Sequence, residues 1–466
     1  MYYLMIVIFV LGYSAIAFEH KLGVDKAAAA LITGVLCWTV YVLGAYDIVD
    51  FNSIPDYLLS MFAEDNVELT KHDVIKHYVT EFQMYESLAE IASILFFLIG
   101  AMTIVELVDA HEGFAVITDR ITTTKKSKLL WIVGILSFFF SAALDNLTTS
   151  IVMVSLLRKL IKDDKDRWTF AGLVIIAANA GGAWSPIGDV TTTMLWIGKQ
   201  ITADSIVIGL IVPSMVCLIV PLLILSRKMK GDVVRPMKQE NADHYLDPTT
   251  PFERKFVFFS GLFGLILVPI FKTYTHLPPF MGMMLSLGML WLLTDILHRR
   301  KNMEFRSKFS VLGALRKIDT PSVLFFLGIL LAVGSLQGAG QLRELAGGLD
   351  SSIGTDTREG VYAVSMIIGL LSSIVDNVPL VAASMGMYEL GGENLFFHTN
   401  GLFWEFLAYC AGTGGSALII GSAAGVAVMG LEKMSFVWYL KNMSLLAIVG
   451  YIAGAITYII QYTILN

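Results

Sequence analysis

Charged residues are scarce in this sequence. Asp, Glu, Lys and Arg make up 15% of its 466 residues, whereas soluble domains usually carry about 25%. Hydrophobic residues make up 56%, and uncharged runs of about 20 residues, long enough to cross a bilayer as helices, recur along the chain. The composition therefore predicts an all-α, polytopic membrane protein and excludes a sizeable soluble domain.

Cysteine is also rare, with three residues in the whole chain. Cys37, Cys217 and Cys410 lie in apolar segments, at spacings that fit neither a metal site nor a redox pair. The G-x-G-D motif of intramembrane aspartyl proteases is absent as well. We therefore expect a protein that is not an enzyme, holds no cofactor, has no nucleic-acid partner and has the lipid bilayer as its surroundings.

Basic residues indicate the topology, because Lys and Arg concentrate in cytoplasmic loops. Six polar segments hold 26 of the 33 basic residues and are predicted to be cytoplasmic: 19–26, 109–128, 158–168, 227–255, 298–318 and 431–435. Three acidic segments are predicted to be external: 46–87, 341–358 and 389–402. This alternation holds only if segments 129–157 and 360–388 enter and leave on the same face, as re-entrant hairpins.

The remaining apolar segments predict ten full spans, with both chain termini outside. Their approximate bounds are 2–18, 27–45, 88–108, 168–200, 203–226, 254–271, 279–297, 320–340, 403–430 and 436–462. The first span lacks a basic start and a cleavage pattern, so we expect a retained helix. Segment 46–87 is predicted to be an external amphipathic element, and 109–128 to lie along the cytoplasmic interface.

The sequence contains signs of an internal duplication. LFFL occurs at 95–98 and 324–327, Asp-Asn at 145–146 and 376–377, and NAGGAWSPIGD at 179–189 aligns with GTGGSALIIGS at 412–422. Because the two halves have opposite predicted orientations, we expect inverted repeats at 88–226 and 254–466, after N-terminal helices at 1–87 and joined by a linker at 227–253. Inverted repeats with broken helices are the architecture of secondary transporters.

Polar residues concentrate at the two predicted hairpin tips and at two glycine-rich helix breaks. We predict that Asp145, Asn146, Asp189, Asp376 and Asn377 bind ions or carry protons. Supporting polar ligands are expected at Ser141, Asn179, Thr191, Thr192, Ser372, Thr413 and Ser416. These hard oxygen donors suit Na⁺ or Li⁺, which we place at Asp145, Asn146, Asp376 and Asn377.

A simpler role for the three aspartates is to cap helix N-termini. Ser or Asn would cap as well without bringing an ionisable group to membrane depth, so we favour a functional role. Roles for Glu106, Ser422 and His111 are left open. Glu106 either has a transport role or reaches water near the cytoplasmic end of its helix, and His111 is expected to be a solvated interfacial residue, with pH sensing as the alternative. Glu405, near an external helix end, is expected to be solvated.

Four motifs in order resemble the NhaD-type sodium/proton antiporters of the ion transporter superfamily: GAMTIVELVDAHEGF, SAALDNLTTSIVM, NAGGAWSPIGDVTTTM and SSIVDNVPLVAA. The resemblance covers most of the chain. It implies a homodimer, elevator-type alternating access, and exchange of Na⁺ or Li⁺ for H⁺ at the bacterial inner membrane. The family's important polar positions correspond to the residues predicted above. The transported ions are the substrates.

Three other functions fit parts of this pattern. A sodium-coupled dicarboxylate, sulfate or arsenite transporter of the same superfamily is the main alternative, but two acidic hairpin tips would repel an anion. An intramembrane aspartyl protease would leave the duplication unexplained. A channel would conduct cations without moving protons. The sequence indicates neither the H⁺/Na⁺ stoichiometry nor the preference between Na⁺ and Li⁺.

Overall fold

The computed structural model of the protein describes residues 1–17, 22–59, 70–236 and 249–465. Within these ranges the chain is helical and contains no β-strand. One isolated antiparallel bridge joins Lys125 and Asp232. The prediction of an all-α fold is confirmed. The predicted linker at 227–253 lies partly outside the described residues, since its central part, 237–248, is not among them.

Eight helices of the described chain are long and apolar enough to cross a membrane. They are Lys26–Leu43, Lys71–Ala110, Lys126–Leu144, Ala203–Lys228, Pro251–Thr275, Pro279–His298, Thr320–Gly338 and Ser444–Leu465. The protein is therefore a polytopic membrane protein, as its composition predicts.

Other helices make up most of the remaining described chain, and all of them except Asp164–Ala183 have 16 residues or fewer. In the N-terminal half they are Tyr2–Ala17, Ala45–Ile48, Ala115–Thr118, Asn146–Leu160, Asp164–Ala183 and Val190–Ile197. In the C-terminal half they are Met303–Lys308, Val311–Leu315, Gln341–Ile353, Arg358–Leu371, Asn377–Met387, Leu402–Gly414, Ala423–Glu432 and Phe436–Asn442. Single 3₁₀ turns lie at Phe51–Ser53, Leu395–Phe397 and Gly415–Ala417.

The third predicted span begins earlier than the sequence indicates. A capping box of Thr70 and Asp73 starts a helix at Lys71, and a π-helical turn at Tyr78–Gln83 carries it into Met84–Ala110. The polar residues 71–87 are therefore continuous with the span and are not a separate element. Residues 60–69 of the predicted external segment lie outside the described chain.

The described chain divides into two compact units. The first comprises Met1–Leu95, Asp319–Thr355 and Ala382–Glu389. Its helices Lys26–Leu43 and Thr320–Gly338 cross closely, because a Cβ at Gly34 would lie 2.5 Å from the Gly328 carbonyl oxygen. Buried Tyr41 donates a hydrogen bond to the carbonyl oxygen of Gly338 (2.8 Å). Small residues thus allow the close helix packing of this unit.

The second unit comprises Phe96–Ile318, Asp356–Val381 and Leu390–Asn466. It holds the predicted ion-binding residues on four interrupted helical segments. Asp145 interrupts the first, and Trp184–Asp189 lies between the helices of the second. The third is interrupted between Leu371 and Asn377, and the fourth between the 3₁₀ turn Gly415–Ala417 and Ala423. Whether the first and third are re-entrant hairpins of an inverted repeat stays a prediction.

Glycines allow these interrupted segments to approach one another. A Cβ at Gly181 would meet the Phe138 carbonyl oxygen, and one at Gly414 would meet the Gly369 carbonyl oxygen, each well inside contact distance. Gly181 and Gly414 are 233 residues apart. The same close approach therefore occurs twice, at positions that the sequence repeat relates.

We predict that Gly181→Ala and Gly414→Ala each destabilise the protein. The added methyl group would force backbone apart in a packed interior, at about 1–3 kcal/mol. The measurement is the thermal unfolding midpoint of the purified protein in detergent. Gly430→Ala is the matched control, because a Cβ there meets nothing within 4 Å. An unchanged midpoint in both test variants would contradict the packing role of these glycines.

Candidate functional site

Asp145 joins two helices at a single residue. Helix Lys126–Leu144 ends directly before it and helix Asn146–Leu160 begins directly after it. Its φ of 79° is uncommon for a residue other than glycine. Its carboxylate oxygens accept hydrogen bonds from the Thr148 backbone N–H (2.7 Å) and the Thr148 hydroxyl (3.0 Å). The carboxylate is thus held at the start of the second helix.

Asp189 occupies a similar position in the second interrupted segment and is only 2% exposed. It caps helix Val190–Ile197, accepting a hydrogen bond from the Thr191 backbone N–H (3.3 Å). Its other carboxylate oxygen accepts one from the Asn377 side-chain amide (3.1 Å). Asp376 directly precedes Asn377 in the chain. This hydrogen bond therefore connects the second Asp-Asn motif with Asp189.

A chain of hydrogen bonds between buried amides and hydroxyls connects three of the interrupted segments. Asn146 donates to the side-chain oxygen of Asn179 (3.1 Å). Asn179 in turn donates to the hydroxyls of Ser416 and Ser422, both at 2.9 Å. Ser422 caps helix Ala423–Glu432. All four side chains are buried, so this network links the first interrupted segment to the fourth.

Asp145 and Asp189 line one small cavity of about 20 Å³. Apolar side chains such as Leu144, Leu265 and Met283 form other parts of its wall. A cavity needs about 10–15 Å³ to hold a water molecule, so this one has room for a single guest of that size. Two carboxylates facing such a space favour a small cation or a proton.

Two serines at corresponding positions of the sequence repeat form hydrogen bonds between interrupted segments. Ser141 donates to the Ala178 carbonyl oxygen (2.5 Å), and Ser372 donates to the Ala411 carbonyl oxygen (3.1 Å). The serines are 231 residues apart and the acceptors 233. The structure therefore repeats this contact at the offset of the sequence duplication.

The remaining predicted residues have more local contacts. Thr192 donates to the Asp189 carbonyl oxygen (2.9 Å), and Thr413 donates to the Tyr409 carbonyl oxygen (2.6 Å). Asp376 accepts a long hydrogen bond from the Val378 backbone N–H (3.4 Å). Thr191 contributes its backbone N–H to Asp189, as described above. These threonines support the shape of the helix breaks.

Glu106 and His111 contact other groups. Glu106 pairs with Lys317 at 3.1 Å. His111 is fully buried, contrary to a solvated position, and its ring nitrogens lie 2.7 Å from the Leu107 carbonyl oxygen and 2.9 Å from His298 Nε2. Burial lowers the pKa of His111 to about 4, so the ring is neutral near pH 7.

The expectation for Glu405 was wrong. Glu405 is 9% exposed and accepts hydrogen bonds from Ser205 and from Tyr458, the latter at 2.9 Å. Its helix position near an end suggested solvent, but partners from two distant segments enclose it. This contact between residues far apart in sequence has no local signal.

Two supporting residues were missed by the sequence analysis. Thr148 holds both oxygens of Asp145, and the Asp-x-x-Thr spacing of a helix cap could have indicated it. Tyr439 donates to the Ser416 carbonyl oxygen (2.7 Å). No motif connects Tyr439 with the site, because it lies 23 residues beyond Ser416.

Interrupted helices that bring carboxylates together in a multi-pass membrane protein define the class of secondary transporters. Comparison with known families agrees, since residues 6–399 match the family described as "Citrate transporter" (CitMHS). The chain is 46% identical to "Sodium/proton antiporter 1" of Arabidopsis thaliana over 98% of its own length and 72% of that protein. It is 42% identical to "Sodium/proton antiporter 2" of the same plant, over 98% of both chains.

A bacterial relative gives the same result. The chain is 30% identical to "Na(+)/H(+) antiporter NhaD" of Alkalimonas amylolytica, over 97% of its own length and 89% of that protein. The chain therefore belongs to the NhaD-type sodium/proton antiporter family, and it is a transporter and not an enzyme. Because relatives come from a plant as well as from bacteria, the bacterial inner membrane stays a prediction, as does the orientation of the termini.

We predict that Asn179→Ala destabilises the protein strongly. The substitution removes the acceptor of Asn146 and the donor to two serines, at about 1–3 kcal/mol for each buried group left unpaired. The measurement is again the unfolding midpoint in detergent. Asn442→Ala is the control, since Asn442 is exposed and its amide donates a local hydrogen bond to the Trp438 carbonyl oxygen, four residues earlier. Equal unfolding midpoints for the two variants would show that the hydrogen bonds of Asn179 do not stabilise the protein.

Proposed function

We propose that this protein exchanges Na⁺ or Li⁺ for H⁺, with the cation and the proton competing for Asp145, Asp189 and Asp376. The observation that carries the proposal is the small cavity lined by both Asp145 and Asp189. Asn377, bonded to Asp189, supports it by joining the second Asp-Asn motif to the same group.

The chemistry of the site favours competition. Neighbouring carboxylates repel when all are ionised, and burial in a low-dielectric region strengthens that repulsion. A bound Na⁺ relieves the repulsion by its charge, and a bound proton relieves it by neutralising one carboxylate. Each ligand weakens binding of the other, because both use the same oxygens. Exchange then follows when the loaded site faces either side of the membrane in turn.

The proposal includes an elevator-type movement and a homodimer, which the family resemblance implies. All the ion-binding residues named above lie in the second compact unit. The amide oxygens of Asn146, Asn179 and Asn377 add to the hard oxygen donors near the carboxylates. Such donors suit Na⁺ and Li⁺ better than softer metals.

Sodium-coupled anion transport is the second candidate, because the matching family is described as "Citrate transporter". Two features of the site favour the cation exchanger. Asp145 and Asp189 would repel a carboxylate substrate. Their cavity of about 20 Å³ is also far smaller than the 300–1,000 Å³ typical of pockets for organic ligands.

We predict that Asp145→Asn, Asp189→Asn and Asp376→Asn each abolish exchange while leaving the fold intact. Asparagine retains the shape and the capping oxygen but cannot take up and release a proton. The measurement is the collapse of a pH gradient, reported by a dye, in everted vesicles after addition of NaCl, LiCl or KCl. The protein with its native sequence should respond to Na⁺ or Li⁺, and vesicles without the protein should not.

Asp295→Asn is the matched control, because Asp295 is exposed on helix Pro279–His298 and distant in sequence from the four interrupted segments. It should exchange normally. Near-native exchange by all three test variants would refute the site. No response of the native sequence to any cation would favour anion transport, which uptake of labelled citrate or sulfate would then reveal.

We predict that acidification raises the apparent KM for Na⁺ without lowering the rate at saturating Na⁺. When a proton and Na⁺ compete for one carboxylate, each pH unit below its pKa raises the apparent KM about ten-fold, because protons become ten times more abundant. The measurement is the rate of exchange against Na⁺ concentration at several pH values. A fall in the maximal rate at constant KM would instead indicate proton binding outside the cation site.

A further inference from the structure

A second, much larger cavity of about 570 Å³ lies in the same compact unit. Its wall is mostly apolar and comes from three membrane-spanning helices, through residues such as Val105, Val108, Phe140, Phe258, Leu262 and Leu265. Phe139 and Phe259, which also line it, are 49% and 57% exposed. These exposed aromatic side chains lie on membrane-spanning helices, so we expect lipid to reach the cavity beside them.

Arg120 and Lys255 are the charged members of the cavity lining. Both side chains are exposed, and within the described ranges neither forms an ion pair or a side-chain hydrogen bond. Lys255 lies near the beginning of helix Pro251–Thr275, and both residues belong to segments predicted to be cytoplasmic. The cavity therefore combines a long apolar body with two cations available to an anion.

We propose that this cavity binds an anionic phospholipid. The acyl chain occupies the apolar body, and the headgroup phosphate pairs with Arg120 and Lys255. Basic pockets between membrane helices on the cytoplasmic side suit such headgroups, and the volume lies within the range of ligand pockets. A soluble organic anion would leave the apolar wall facing water or an empty space, so charge and apolarity together specify a lipid.

The cavity of about 570 Å³ shares part of its wall with the cavity of about 20 Å³ that Asp145 and Asp189 line. Ala143, Leu144 and Leu265 line both, and Leu144 directly precedes Asp145. A lipid that packs against this wall holds the end of helix Lys126–Leu144, and with it the position of the Asp145 carboxylate. We therefore expect the bound lipid to increase the exchange rate. This consequence rests on the proposed function, whereas lipid binding itself does not.

The first test measures binding. The full-length protein is reconstituted in phosphatidylcholine vesicles containing phosphatidylglycerol with a photoreactive group on its acyl chain, and labelled peptides are identified by mass spectrometry. We expect labelling at Phe139–Leu144 and Phe258–Leu265. Arg120→Gln with Lys255→Gln should reduce it about ten-fold or more, since each cation near the membrane surface contributes roughly 1 kcal/mol to anionic-lipid binding.

Lys128→Gln with Arg300→Gln is the matched control, because it removes two exposed cytoplasmic cations outside the cavity. Leu262→Trp should also block labelling by filling the body, whereas Leu285→Trp, at an exposed position of another helix, should not. Equal labelling in both double variants, or equal labelling by a phosphatidylcholine probe, would overturn the proposal of an anionic-lipid site.

The second test measures the consequence for transport. Exchange is compared in vesicles of phosphatidylcholine alone and of phosphatidylcholine with phosphatidylglycerol. We expect phosphatidylglycerol to increase exchange by the native sequence and by the control double variant, but not by the Arg120/Lys255 double variant. Equal stimulation of all three would overturn the coupling. If the native sequence shows no exchange, the proposed function fails, and the labelling result still decides whether the lipid binds.

Discussion

The bilayer requires that every backbone polar group be satisfied within the protein, and the rest of this structure depends on that constraint. Interrupting a helix at membrane depth exposes backbone N–H groups, and here side-chain oxygens satisfy several of them. Asp145, Asp189 and Ser422 each cap the helix that follows its interruption. In the proposed mechanism, capping and ion binding use the same carboxylates, so the capping role and the functional role of these aspartates are compatible.

Much of the architecture could be predicted because its signals are local. Apolar runs indicate spans, and the glycines around residues 181 and 412 indicate where helices are interrupted. The repeat offset also predicted which positions correspond, and the contacts of Ser141 and Ser372 occur at that offset. Helix limits were less predictable. The π-helical turn at Tyr78–Gln83 carries a helix through polar sequence that by composition resembles a loop.

The sequence indicated which polar residues lie near the helix interruptions better than it indicated their partners. It grouped Asp145 with Asp376 because they occupy matching motifs, whereas the cavity brings Asp145 together with Asp189. Partnerships such as Asn377 with Asp189, 188 residues away, depend on packing across segments and leave no local pattern. The same reason explains the errors at Glu405 and His111, whose burial comes from residues 53 and 187 positions distant.

The site combines repeated contacts with unequal charge. Asp189 and Ser422 occupy corresponding capping positions, 233 residues apart, but only Asp189 is ionisable. Asn377 donates a hydrogen bond to the Asp189 carboxylate, whereas Asn146 is connected to the Ser422 hydroxyl through Asn179. In the proposed mechanism, the three carboxylates outnumber what one monovalent cation can neutralise. A proton retained on one of them while Na⁺ is bound would reduce this excess, so the number of protons exchanged per cation would depend on how many of the three release theirs.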